Sequence, residues 1–178
     1  LVNKTIDFFK RWVPKVRPGG CLELAQTIAA SAHEYWTSEP PSERGPAEIS
    51  NLLKIVVAVS SLLPKDSELL TLRDAVRTRC SDVQAQQAMS DVVSLMEAWS
   101  DDKAKLTDIS AALDKLGDHA LPDTVQNKLA PFRTACSKQL VEVTTGQATP
   151  SMPDSEGKFV VALRSAISLS TKLMGDWD

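Results

Sequence analysis

Two histidines, three cysteines and a scatter of carboxylates are what this chain offers to acid-base, nucleophilic or metal chemistry. His33 opens the run His33-Glu34-Tyr35-Trp36-Thr37. It begins like the helical zinc motif in which two histidines four residues apart share one face and a glutamate between them acts as base. Thr37 stands where the second ligand is required, so the run does not form that site. His119, in the polar connector Gly117-Asp118-His119-Ala120, reads as a solvated loop residue. Cys21, Cys80 and Cys136 have no Cys-x-x-Cys spacing and cannot all pair with one another. They read as small buried hydrophobes, with a lean toward a reducing intracellular compartment.

The motifs that cradle phosphate or present a nucleophilic serine are absent: Gly19-Gly20 is the one adjacent glycine pair, and neither G-x-G-x-x-G, G-K-[ST] nor G-x-S-x-G occurs. The acidic pairs Asp101-Asp102 and Asp154 with Glu156 fall where helices should start, where a carboxylate is favoured by unpaired N–H groups and the helix dipole. The expectation is therefore a non-enzymatic chain with no catalytic residue, no cofactor and no metal. A catalytic constellation assembled only in three dimensions is the alternative that motifs do not reveal.

Residues suited to binding are easier to find. Residues 1–20 hold Lys4, Lys10, Arg11, Lys15 and Arg17 against Asp7, a net +4, which leaves −7 on the remaining 158 residues. Phe8 and Trp12 beside Lys10 and Arg11 make this a basic amphipathic segment, able to dock in a partner's groove, lie peripherally on an anionic membrane, or touch nucleic acid. Its structural alternative is that Ile6, Phe9 and Val13 cover one end of a bundle while the lysines stay in water. Arg73 and Arg77, one turn apart with Asp74 between them, suit an anion if they converge and an ordinary solvated face if they do not. Trp99 and Trp177 stand near expected helix ends, where an exposed indole is an interface anchor and a covered one plugs the bundle.

The elements that must position these residues are helices. The chain has 178 residues, 43% hydrophobic and 24% charged with a net charge of −3, which fits a folded domain and disfavours one that coats a duplex by neutralising phosphates. Its longest apolar run, Ile55-Val56-Val57-Ala58-Val59, is far short of a transmembrane span. Leu1 in place of Met reads as a processed product or a piece of something longer. Apolar residues recur at helical spacing throughout, and two-residue alternation is missing.

The reading is all-α, a bundle or short stacked array of about seven helices forming a single domain over residues 1–178. The helices fall near 4–13, 21–36, 47–63, 67–99, 102–116, 123–143 and 155–174, with loops at 37–46 and 144–153. Leu24, Ile28, Ala32 and Tyr35 form the inner face of the second. The third is apolar nearly all round, from Ile49 to Leu63, and so belongs in the middle. Ser81-Asp82-Val83-Gln84 has the form of a capping box and makes a break near Cys80 plausible. Gly117 is placed to end the fifth helix in the left-handed conformation, and Asp123 to cap the sixth, which Pro131 should kink. Cys21, Cys80 and Cys136, and the pairs Ile49-Ser50, Ile109-Ser110 and Ile167-Ser168, recur in order. They suggest a degenerate repeat of helical hairpins with a period near 58 residues, set against chance in a chain rich in Ala, Ser and Leu.

Abundant helical surface and scarce reactive groups favour a non-catalytic interaction or assembly module acting by helix-face docking, with a protein partner or self-association. One alternative is a coat or nucleoprotein-type subunit reaching nucleic acid or a neighbouring subunit through residues 1–20. The other is a bundle that binds lipid or an apolar ligand between its helices.

Overall fold

The computed structural model describes residues 18–39, 44–99, 102–154 and 156–175. Among them the chain is all-helical, with helices α1 (Pro18–Ser38), α2 (Pro46–Ser60), α3 (Ser67–Glu97), α4 (Lys103–Gly117), α5 (Asp123–Thr144) and α6 (Lys158–Gly175). These match the second to seventh expected helices; the first, near 4–13, lies outside the described residues, so the count of seven is not established. No described helix is long and apolar enough to cross a membrane. The chain divides into two compact units, Leu1–Cys80 and Ser81–Asp178.

In the N-terminal unit the inner face of α2 is the core: Ile49, Leu52, Val56 and Val59 are buried, joined by Leu63 and by Leu69, Leu72 and Val76 of α3. The outer face of α2 is not covered, and Val57 is 42% exposed, so the expectation of a central helix buried all round is wrong. Apolar side chains right round a helix gave that expectation, but α2 is packed on one side. Gly45 precedes the helix and Pro46 occupies its first turn, where a missing N–H has no helical partner to lose. The Gly45 N–H donates to the Glu48 carboxylate at 3.1 Å.

The C-terminal unit buries a single cluster. Met89, Val92 and Met96 of α3 meet Ile109, Leu113 and Leu116 of α4, Val125, Leu129, Phe132 and Cys136 of α5, and Phe159, Leu163 and Ala166 of α6. The rings of Phe132 and Phe159 stack with centroids 4.5 Å apart. Capping follows the carboxylates: Asp102 accepts from the Ala104 N–H at 2.9 Å, and Asp154 accepts from the N–H groups of Phe159 and Val160 at 3.0 Å.

Three local expectations need correction. Helix α3 runs unbroken through Ser81, whose capping-box pattern goes unused because Cys80 and Val83 on either side are buried and hold the backbone helical. Pro122, not Asp123, is the residue before α5, and Asp123 sits in its first turn. Pro131 does lie within that helix. Gly117 ends α4 without a positive φ, the described glycines that have one being Gly146 and Gly157. The movable end of Arg133 passes beside it: a Cβ there would lie 2.7 Å from Nη1 of Arg133, whose Nη2 donates to Asp114 at 2.6 Å.

Candidate functional site

Helix α1 packs through small residues. Its fully buried side chains are Ala25 and Ala32, while Leu24 and Tyr35 on the same stripe are 39% and 42% exposed and Ile28 is half-buried. Alanines let α1 approach α2 closely but leave the larger side chains of the stripe standing at the edge of the contact. An open groove of about 390 Å³ results between the two helices. Ile28, Ala32 and Tyr35 of α1 and Leu52 and Ile55 of α2 form its apolar walls, and Ser31, Glu48 and Asn51 supply polar edges.

One end of the groove is fixed by an arginine. Arg44 is buried, and its guanidinium lies over the Tyr35 ring with Cζ 4.0 Å from the centroid. Nη2 donates to the Tyr35 carbonyl and lies 3.4 Å from Ser38 Oγ, and Nη1 is 3.9 Å from the Glu39 carboxylate. These contacts satisfy carbonyls at the C-terminus of α1, which lack helical partners, and clamp the tyrosine from one side. This role is not legible from residue types alone, because a single arginine in a Pro-, Ser- and Glu-rich stretch reads as solvated.

Glu48 is the charged residue that lines the groove. Between residues 18 and 38 there are Glu23 and Glu34 and no Lys or Arg, and α2 adds Glu48 and Lys54. A second, shallower cleft of about 460 Å³ lies between α1 and the start of α3, lined by His33, Trp36, Ser67, Glu68, Thr71 and neighbouring apolar atoms. Among the described residues no three His, Cys, Asp or Glu side chains gather closely enough to hold a metal ion.

No family model, curated protein or solved structure matches this chain.

The residues singled out for binding fall in different places. Phe8, Lys10, Arg11, Trp12 and Trp177 lie outside the described residues. Arg73 and Arg77 both turn to Asp74, at 2.9 and 3.9 Å, so the carboxylate between them takes up the charge that an external anion would need. Trp99 is half-buried against the C-terminal cluster. Cys80 and Cys136 are buried and Cys21 is half-buried. Burial, reinforced by the negative charge of Asp154, pushes the Cys136 thiol from its usual 9.0 up to about 12. It is held as a neutral hydrophobe rather than a nucleophile. The groove itself was half legible. Leu24, Ile28, Ala32 and Tyr35 are the stripe that the spacing marked as an inner face, and the structure shows that stripe only partly covered.

Proposed function

We propose that the chain is a non-catalytic interaction module whose contact surface is the α1/α2 groove, occupied by an amphipathic helix of a partner. The observation that carries this is the partly covered stripe from Leu24 to Tyr35, which from Ile28 onward opens on an apolar trough whose far wall is Leu52 and Ile55. A helix laid in such a trough buries side chains spaced by three and four residues, the usual mode of helix-in-groove recognition. Tyr35, pinned by Arg44, is the aromatic anchor that such contacts favour.

A photo-crosslinking residue placed at Ser31 of the full chain tests the reading in cells that make the protein. It should trap one defined partner through a helical segment, and Ile55→Lys should abolish the adduct without changing the circular dichroism spectrum. Absence of a defined adduct, or indifference to Ile55→Lys, would overturn it.

A second reading is an apolar small molecule in the same trough, favoured by its volume and largely apolar walls. Native mass spectrometry of the purified chain would show it as a retained mass that Ile55→Lys removes. A degenerate repeat of helical hairpins also has support. The shorter helices α2, α4 and α6 begin at Pro46, Lys103 and Lys158, each after a longer one, at spacings close to those of the sequence landmarks.

A further inference from the structure

We infer that the helix received by the groove is a partner's helix built like α6 of this chain, one large apolar residue set between small ones, as Leu163 is between Ala162 and Ala166. The inference rests on the groove's being a docking surface and adds the pattern of its occupant.

The two units repeat one burial pattern. Ile49, Leu52, Val56 and Val59 of α2 are buried, and 57 positions later so are Leu106, Ile109, Leu113 and Leu116 of α4. In the same way Leu69, Val76 and Cys80 of α3 stand 56 positions before Val125, Phe132 and Cys136 of α5, and all six are buried. Repeated helical units behave so, because each copy uses the same face to reach its neighbours. The groove falls within this register. Its apolar walls, Ile28, Ala32, Tyr35, Leu52 and Ile55, correspond at 57 positions to Ala85, Met89, Val92, Ile109 and Ala112. In the C-terminal unit the first four are buried and Ala112 packs on the cluster. The same surface is open in one unit and closed in the other.

What differs is a helix. The C-terminal unit has α6, whose Phe159, Leu163 and Ala166 join the cluster and whose Arg164 donates to Glu97 of α3. Among the described residues the N-terminal unit has no helix in that role. Its counterpart in the chain is α4, since Leu106 and Ile109 precede Leu163 and Ala166 by 57 positions. Helix α3 runs unbroken into the C-terminal unit, and α4 after it is buried in that unit's cluster. The helix that would close the groove is thus committed to another core, and a partner has to bring its own. Side-chain size sets what that helix carries. Ala32 stands where the C-terminal unit has Met89, so the incoming stripe needs a large side chain opposite it; Ile28 and Ile55 stand where that unit has alanines, so the flanking residues are small.

A fluorescent peptide with the sequence of residues 157–175 is the probe, titrated into the full chain and followed by anisotropy. It should bind saturably, and the crosslinker at Ser31 should join it to the chain. Ile55→Lys in the groove wall and Leu163→Asp in the peptide should each weaken binding at least roughly tenfold. Val57→Lys, on the outer face of α2, should leave it unchanged. No saturable binding, or binding indifferent to Ile55→Lys or to Leu163→Asp, would overturn the inference. A partner trapped at Ser31 in cells through a helix without that pattern would overturn the inference and leave the groove reading standing. An adduct within the same chain, or no defined adduct with either the peptide or the cells, would overturn both.

Discussion

The two compact units use helices of similar length to opposite ends. In the C-terminal unit four helical segments surround one cluster, and large side chains, with the Phe132–Phe159 stack among them, fill the space between. In the N-terminal unit α1 is held through Ala25 and Ala32, while Leu24 stays exposed and Ile28 and Tyr35 line an open trough. Amphipathic spacing marks which face of a helix is apolar. The size of the residues at the contact decides whether that face is closed by its own chain or left for another.

The sharpest break of this contrast lies within α2. Val56 is fully buried and Val57 is 42% exposed. Val56→Asp should cost about 4 kcal/mol by placing an unpaired charge in the core, while Val57→Asp should stay within about 1 kcal/mol. Urea unfolding monitored by circular dichroism checks both. Equal losses would mean that α2 is buried all round after all.

Between the units the comparison is one of cavities. Leu163 is fully buried, so Leu163→Ala should cost about 3 kcal/mol; Ile28→Ala, in the groove wall, should cost less than about 1 kcal/mol because that side chain is already half in water. A large loss from Ile28→Ala would show that the groove is closed in solution. Asp154→Ala should cost about 1–2 kcal/mol, since the carboxylate accepts from two backbone N–H groups at the start of α6.

The smallest effect at neutral pH concerns the thiols. Because the Cys136 thiol is raised from 9.0 to about 12, the neutral form is the one the fold favours. Its contribution is complete below pH 9, and stability falls as the pH climbs from there through about 12, where the folded state resists ionisation and the unfolded chain does not. At pH 8 a thiol reagent should modify half-buried Cys21 first and Cys136 last, with buried Cys80 between them if the N-terminal unit opens more readily. Cys136 reacting before Cys80 would contradict its burial as a neutral thiol.

Helix positions were legible because apolar residues at three- and four-residue spacing are set by the chain itself, and Asp102 and Asp154 were legible as caps because their chemistry acts within a few residues. What escaped depends on neighbours distant in sequence. The pattern at Ser81 is a valid cap that burial of Cys80 and Val83 overrides, and the Arg133 side chain that passes close to Gly117 comes from sixteen positions later. Arg44 acts through a ring and carbonyls that are near only once α1 and α2 have packed. The groove required the same knowledge: spacing marked its α1 stripe, but coverage of that stripe is a tertiary fact.

Amide hydrogen exchange by mass spectrometry, with the full chain free and then bound to its partner, tests the central claim most directly. Peptides covering residues 24–35 and 48–55 should exchange more slowly on binding, with those of α4 and α5 unchanged. Slowing confined to the helices of the C-terminal unit, with residues 24–35 and 48–55 unaffected, would contradict the assignment of the docking surface to the α1/α2 groove.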